Sequence, residues 1–485
     1  MDWMSRHWLA VILFVLYGGI LLRNAYVGAK QSGLSDYYVG GRNMSGVVIG
    51  ISFFATFAST NSYIGHAGKG YAYGLPWLFM ASSLVVFTWL SWRFVGPRLA
   101  DYARNFDALT IPDFLGARFL GENDRPQHLL RLFSSLIIVF ASLLYLIAIF
   151  KGAGHVFQNF FAISYAEAVA VTLALVVLYT SIGGFVSVVR TDVVQGCLMI
   201  VGALLMFYFV TRAAGGVGAI TDLRHAADTA FLFSWNAGIP FVVLMGISLS
   251  GALKLMVDPR QLSRFYALKD EREARKGIWV ALIGLLIVQA SLFPIGIYAH
   301  LLLQGVTDTD LIVPTLLNQV AVFPIWASDF LMVAIVAAAM SSMDSVLLVT
   351  ASTFQRNLVE PFRRVAHPVR WTRIVVVLTA ALAALLALKP PGDIVEITIF
   401  SGSLYAACFL PAVLFGVRAP AHRSLDARFI LGSMIAGVAM LALWLALDLR
   451  SVIHEVFPAL LVSGIIFYTG MRARGSARSA AKPQS

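Results

Sequence analysis

Apolar stretches long enough to cross a bilayer recur along the whole sequence, and they constrain the fold more than any other feature. A membrane-spanning helix needs about 18 or more mostly apolar residues. Such spans must be helices, because lipid offers the backbone no hydrogen-bond partners. The sequence predicts an all-α integral membrane protein with about 13 transmembrane helices. They lie near residues 8–23, 46–66, 76–97, 132–151, 163–182, 191–211, 238–257, 277–303, 327–350, 372–389, 394–417, 429–448 and 452–470.

The overall composition agrees with that class. The chain is 59% hydrophobic and 13% charged, with a mean hydropathy of +0.80, which excludes an ordinary soluble domain. The first apolar stretch is followed by Gly-Ala-Lys and not by a signal-peptide cleavage site, so we interpret it as a helix. We predict one transmembrane domain over residues 1–471, followed by a basic, disordered cytoplasmic tail over residues 472–485.

The net charge of +11 does not indicate nucleic-acid binding, because arginine and lysine gather in alternate loops. The loops between these clusters are poor in both residues. This pattern follows the positive-inside rule and predicts a multi-pass protein of the cell (inner) membrane, with the N-terminus outside and the C-terminus cytoplasmic. The basic loops lie within residues 93–131, 260–276 and 356–373.

Two adjacent hydroxyl side chains lie inside the ninth apolar segment, where residues 337–345 read AAAMSSMDS. Ala338, Ser341 and Ser342 share one helical face. Small residues there let a second helix approach until its carbonyl oxygens reach the same point. Hard oxygen ligands without nitrogen or sulfur suit a dehydrated alkali cation, so the run predicts a sodium site. Ordinary packing of serines between helices is the alternative.

Polar residues also interrupt the second apolar segment, where Ser59, Thr60, Asn61 and Ser62 follow one another at mid-membrane depth. Local unwinding of the helix around a cavity explains them, because freed carbonyls then line a polar site. Hydrogen bonding between packed helices is the other explanation. We predict that these four residues bind the substrate.

Four motifs give the chain a resemblance to the sodium:solute symporter family, from about residue 37 to residue 418. The motifs are YYVGGRNMSG (37–46), YTSIGGFVSVVRTDVVQG (179–196), DPRQLSRFYALKDEREARKG (258–277) and AAAMSS (337–342). The resemblance implies the leucine-transporter architecture of two inverted five-helix repeats, here over residues 46–211 and 238–417, with one helix before them and two after. In this architecture the first helix of each repeat is broken, and the solute lies between the breaks. The third motif is expected to be a cytoplasmic loop.

The same resemblance implies the sodium ligands. They are the backbone carbonyls of Ala55, Ala58 and Ala338 and the hydroxyls of Ser341 and Ser342. Every side-chain oxygen that the family's site needs is present in this sequence.

Two acidic residues are candidates for releasing the ion. Asp192 matches a family aspartate linked to sodium release toward the cytoplasm, although a helix-capping role at the start of the sixth span is equally compatible with the sequence. Asp344 follows the paired serines and could either attract the departing ion or pair with a Lys or Arg from another helix.

Two residues of the seventh span bear on the substrate. Gly251 takes the place where sugar-transporting relatives carry an amide, which disfavours a hexose. Lys254 lies near the inner gate and could hold a substrate carboxylate. It could equally extend to the membrane interface, as lysines near helix ends often do.

These observations together predict a sodium-coupled secondary symporter that imports a small polar organic solute, with a carboxylate as one candidate, by alternating access. Its partners are the solute, the sodium ion and the lipid bilayer. A sodium-independent or proton-coupled carrier, a channel and a transporter-like sensor are the rival classes. An enzyme is not expected, because the nine histidines show no metal-ligand spacing. His66 follows the broken helix and could contact the solute, but we expect it to lie in an outer loop.

Overall fold

A computed structural model describes residues 6–30, 33–120, 124–235, 238–363, 365–419 and 425–480. This part of the chain is almost entirely helical. The α-helices are α1 Trp8–Ala29, α2 Leu34–Val39, α3 Gly46–Phe57, α4 His66–Tyr73, α5 Leu78–Leu90, α6 Gly96–Asn105, α7 Ile111–Arg118, α8 Asp124–Phe161, α9 Tyr165–Ala213, α10 Ala219–His225, α11 Phe241–Val257, α12 Pro259–Ala267, α13 Glu271–Leu292, α14 Ile295–Leu302, α15 Ile312–Leu317, α16 Ile325–Thr353, α17 Pro368–Ala387, α18 Ile394–Arg418, α19 Ala427–Ala446 and α20 Val456–Ala480.

Shorter elements connect or extend these helices. Three π-helical segments, Asn61–Gly65, Ser91–Val95 and Phe354–Val359, continue from neighbouring α-helices. The 3₁₀ turns are Gly40–Arg42, Leu75–Trp77, Ala230–Phe233, Thr309–Leu311 and Leu449–Ser451. Strands β1 (Phe119–Leu120) and β2 (Leu425–Asp426) form a two-residue parallel pair.

Ten helical segments of the described chain are long and apolar enough to cross a membrane, and the bent pair α3 and α4 brings the number to as many as eleven. The apolar part of α20, Val456–Met471, is shorter than these segments. The bundle is therefore a multi-pass membrane fold, whereas thirteen crossings stay a prediction. The disorder expected for the tail also stays a prediction, and residues 481–485 lie outside the described part.

The longest helix, α9, has 49 residues. Its length of about 74 Å exceeds the roughly 30 Å hydrocarbon core more than twofold. Gly184 interrupts it with φ +63°, and a Cβ there would lie 2.6 Å from the ring of Tyr37. Only glycine fits such a conformation readily. The spans predicted at residues 163–182 and 191–211 imply a loop between them. The structure has a helix there instead, because the chain turns at Gly184 alone and continues as helix.

Helix α16 occupies the centre of the bundle. It packs against α1, α3, α8, α9 and α17, and 94% of its span is buried. The polar side chains on α16 are therefore shielded from lipid and must find their partners inside the protein.

The segment after α11 corrects a second expectation. Residues 259–267 do not form a loop, because the chain breaks for one residue at Asp258 and resumes as the buried helix α12, whereas residues 268–270 connect α12 to α13. The cytoplasmic position of this segment stays a prediction. Arg260 and Arg264 on α12 are only 2% and 1% exposed. These two arginines do not belong to the surface charge that the positive-inside rule counts.

Candidate functional site

The first half of the site is the break between α3 and α4. The two helices are bent by 56°, and Ala58 leaves the helical conformation with ψ 111°. The Ser59 hydroxyl accepts a hydrogen bond from the backbone N–H of Asn61 at 3.1 Å, which stabilises the new helical start. Carbonyl groups near such a break lack their usual helical partners and can bind a ligand.

The paired serines of α16 contact this part of α3. Ser342 donates a hydrogen bond to the carbonyl oxygen of Thr56 at 3.0 Å, and Ser341 donates to Oδ1 of Asp192 at 2.7 Å. Both serines and Ala338 are completely buried. The structure thus brings α16, α3 and α9 together through oxygen atoms, the ligand type that an alkali cation prefers.

Asp192 lies inside α9 and is completely buried, so the helix-capping interpretation is wrong. Its carboxylate pairs with the guanidinium of Arg264, whose Nη2 lies 3.0 Å from Oδ2. Hydroxyl groups surround this pair: Ser52 donates to Asp192 at 2.5 Å, while Arg264 donates to Thr56 at 2.8 Å, to Ser345 at 2.5 Å and to Ser52 at 3.1 Å.

Asp344 lies beside this network. It accepts a hydrogen bond from the Tyr179 hydroxyl at 3.2 Å and one from Ser345 at 3.4 Å. No Lys or Arg forms an ion pair with it in the described part of the chain, so the expected basic partner is replaced by a tyrosine.

The second half of the site is a small cavity of about 20 Å³ between the two broken helices, which has room for about one water molecule. Its lining residues come from both breaks and from the helices around them. They are Phe57, Asn61, His66, Met80, Tyr145, Gly251, Lys254, Arg260, Thr398 and Ile399.

Three of the predicted substrate residues, Asn61, Gly251 and Lys254, line this cavity together. Ser59, Thr60 and Ser62 are buried in the break but are not among its lining residues. They shape the break, as the hydrogen bond from Asn61 to Ser59 illustrates.

Lys254 does not extend to the membrane interface, since only 4% of it is exposed. Its ammonium donates to the carbonyl oxygen of Thr398 at 3.0 Å and lies 4.3 Å from the centre of the Tyr145 ring. Gly251 keeps the neighbouring wall open, because a Cβ there would lie 2.6 Å from the Met80 methyl carbon.

Two basic side chains that line the cavity, His66 and Arg260, were not predicted from the sequence as cavity residues. His66 is 1% exposed and lies inside the protein, contrary to the expected outer loop. Arg260 was assigned to a cytoplasmic loop. The pair Asp258-Pro259 was the available signal, because Asp at the N-cap followed by Pro at the first helical position marks a helix start.

A helical membrane bundle in which two broken helices enclose a polar cavity is the architecture of inverted-repeat secondary transporters. The profile of the sodium:solute symporter family matches residues 37–453, and the chain belongs to this family. It is therefore a sodium-coupled membrane symporter of a small organic solute, a transporter and not an enzyme.

Relatives of known activity match nearly the whole chain. The sodium/pantothenate symporter of Haemophilus influenzae is 29% identical, over 95% of each chain. The osmoregulated proline transporter of Bacillus subtilis is also 29% identical, over 94% of this chain and 92% of its own.

Solved structures share the fold. A Na⁺-coupled sialic acid symporter in a substrate-bound outward-open state has a TM-score of 0.78 at 20% identity, over 96% of this chain and 98% of that chain. A nucleobase-cation-symport-1 family transporter in a closed conformation has a TM-score of 0.53 at 14% identity, over 91% of this chain and 96% of that one.

Proposed function

We propose that sodium binds between α3 and α16, at the carbonyls of Ala55, Ala58 and Ala338 and the hydroxyls of Ser341 and Ser342. The contact between Ser342 and the α3 backbone, at 3.0 Å from the Thr56 oxygen, is the observation that carries this proposal. It supports a site in which the serine O–H groups turn away, keep their protons and present oxygen lone pairs to a cation among oxygen atoms that are already close together.

Asp192 then acts as the neighbouring carboxylate that receives the departing ion. Its contact with Ser341 supports this role, because one predicted ligand already hydrogen-bonds to it. Asp344, next along α16, adds a second buried acid on the same side of the serines. Two carboxylates near one route attract a cation toward the cytoplasmic side.

The solute binds in the cavity between the breaks. Sodium on α3 holds the break in the form that keeps Asn61 at the cavity wall, which couples the two ligands. By thermodynamic reciprocity, solute must then tighten sodium binding by the same factor. One sodium ion moving inward down about 100 mV releases about 2.3 kcal/mol, before its concentration gradient contributes.

The proposal includes the membrane orientation and the repeats. The N-terminus lies outside and the C-terminus in the cytoplasm, with the inverted repeats over residues 46–211 and 238–417 of a single domain over 1–471. Val320 and Phe362 are 71% and 77% exposed and should lie on opposite sides of the membrane. In a Cys197→Ser/Cys408→Ser background, an impermeant thiol reagent should label Val320→Cys on intact cells and leave Phe362→Cys unlabelled.

Thermal stability of the purified full-length protein tests the sodium site. A solute that binds only together with sodium stabilises the native state in sodium buffer and not in potassium buffer. Ser341→Ala and Ser342→Ala should raise the sodium concentration for half-maximal stabilisation at least tenfold. Ser328→Ala is the matched control, because Ser328 is a buried serine of the same helix that donates to the Leu317 carbonyl.

If the sodium concentration for half-maximal stabilisation is unchanged in both variants, the assignment of the sodium ligands is contradicted. Stabilisation by solute that is equal in both cations would favour the sodium-independent or proton-coupled carrier.

A further inference from the structure

Two buried cations share one aromatic ring in the solute cavity. The Lys254 ammonium lies 4.3 Å and the Arg260 guanidinium carbon 3.8 Å from the centre of the Tyr145 ring. Both basic side chains are buried, at 4% and 2% exposure, and both line the cavity. The π-face of a tyrosine attracts each cation but supplies no negative charge.

Within the described part of the chain, one carboxylate pairs with these two cations. Asp258 binds Arg260, with its Oδ1 and Oδ2 both 3.0 Å from Nε and its Oδ2 2.5 Å from Nη2. Among the described residues, none forms a hydrogen bond with Nη1 of the same guanidinium. Lys254 has three N–H donors, and the Thr398 carbonyl is the acceptor that the structure gives it.

With both basic side chains protonated, Lys254, Arg260 and Asp258 together carry one net positive charge. No carboxylate is among the described residues that line the cavity. The other arginine of α12, Arg264, points to Asp192 and is balanced there. An uncompensated charge in a low-dielectric interior is unfavourable, so the cavity is suited to a ligand that supplies one negative charge.

We propose that the solute is a small monocarboxylate anion whose carboxylate lies between the Lys254 ammonium and Nη1 of Arg260. This inference rests on the proposed function, because it takes the cavity between the breaks as the solute site. A zwitterion would leave the positive charge unbalanced, and a dicarboxylate would exceed it.

The other residues of the cavity wall indicate which further groups the solute carries. Phe57, Met80 and Ile399 provide apolar contacts. Oδ1 of Asn61 and Nδ1 of His66 are buried and form no hydrogen bond with the described residues. A polar substituent of the solute, such as a hydroxyl, can therefore form a hydrogen bond with one of them. The cavity volume of about 20 Å³ holds about one water molecule, so the cavity must widen to admit a solute, and a small anion requires the least widening.

A matched panel of ligands tests the charge requirement on the unmodified protein. Acetate, propionate, lactate and pyruvate are compared with their amides, and lactate also with alanine, which is its zwitterionic counterpart of similar size. In sodium buffer, at least one carboxylate should raise the thermal stability, and its amide should not. The proposal is overturned if no carboxylate stabilises the protein, or if amides or alanine stabilise it equally well.

A variant then assigns the effect to the cavity. Lys254→Met should weaken binding of the stabilising carboxylate at least 30-fold, about 2 kcal/mol, while keeping the stabilisation by sodium alone. Lys69→Met is the control, because Lys69 pairs with Asp393 and does not line the cavity. Its affinity for the carboxylate should stay within threefold, and equal losses in both variants would contradict the assignment to Lys254.

The cation dependence separates failure of this inference from failure of the proposed function. If sodium stabilises the protein and no carboxylate does, the anion site is contradicted and the sodium site is not. If a carboxylate raises the thermal stability equally in sodium and in potassium, the anion site is supported and the proposed coupling is contradicted.

Discussion

Nη2 of Arg264 lies 3.0 Å from Oδ2 of Asp192, and both side chains are almost completely buried. Arg264 belongs to α12, the second half of one broken helix, and Asp192 belongs to α9 beside the predicted sodium ligands. The ion pair thus joins α12 to the region of the predicted sodium ligands. Any movement of α12 must break or carry this contact.

A double-mutant cycle measures the strength of that pair. Asp192→Asn or Arg264→Gln alone should destabilise the protein by about 3–5 kcal/mol, because each leaves one buried charge without a partner. The double variant should lose less than the sum of the two. Thermal unfolding of the four proteins gives the coupling. The pair Glu273 and Lys276, whose lysine is 62% exposed, serves as control and should show much weaker coupling.

Gly184→Ala tests the turn inside α9. A residue with a side chain should destabilise the protein by about 1–3 kcal/mol at this positive φ, and the new methyl group would also meet the ring of Tyr37. Gly18→Ala is the matched control in α1, where nothing lies within 4 Å of the added atom. Equal melting temperatures for the two variants would contradict the account of the turn.

Acid should destabilise the loop between α19 and α20 through His454. Burial lowers the pKa of His454 to about 4, despite the neighbouring Glu455. The unfolded chain takes up its proton near pH 6.5, so the unfolded state binds more protons between pH 6.5 and 4. Stability therefore falls as the pH is lowered through this window, by about 2 kcal/mol at pH 5.

Melting curves of the wild-type protein and of His454→Asn at pH 7.5 and pH 5 check this expectation. The variant should lose much less stability on acidification. His225→Asn replaces an exposed histidine and should behave like the wild type.

Asp393 has two separable roles at the N-terminal end of α18. Its carboxylate accepts a hydrogen bond from the Glu396 N–H at 2.8 Å as the helix N-cap and pairs with Lys69 at 2.7 Å. Asp393→Asn keeps the cap and removes the charge, so its melting temperature should drop only slightly. Asp393→Ala should cost about 1 kcal/mol more, since the cap is lost as well. A larger loss for Asn than for Ala would refute this division.

Hydropathy and local polarity predicted the membrane class and the break after α3, because each of these is written in a short stretch of sequence, while the sodium site stays a prediction. Ser341 and Ser342 stand out as two hydroxyls in an apolar helix, and Asn61 as an amide at mid-membrane depth. Such residues are costly in lipid unless they bind something, which makes their positions informative.

The errors arose where a tertiary contact reversed a local signal. Arg260 and Arg264 follow an apolar span and therefore looked like surface charge, whereas Asp258 and Asp192 balance them inside the bundle. No pattern in the sequence marks Tyr145 as the ring under both cations of the cavity, since α8 meets α11 and α12 only after folding.

In the proposed sites, the cation and the solute contact different kinds of atoms, and most of the cavity wall comes from helices that carry no sodium ligand. The proposed sodium ligands are three backbone carbonyls and two hydroxyls, whereas side chains on α5, α8, α11, α12 and α18 supply most of the cavity wall. Helix α16 adds none of its described residues to that wall. Replacing a few cavity side chains can therefore change what is carried without changing the ion that drives it, so a single energy source can serve a succession of cargoes.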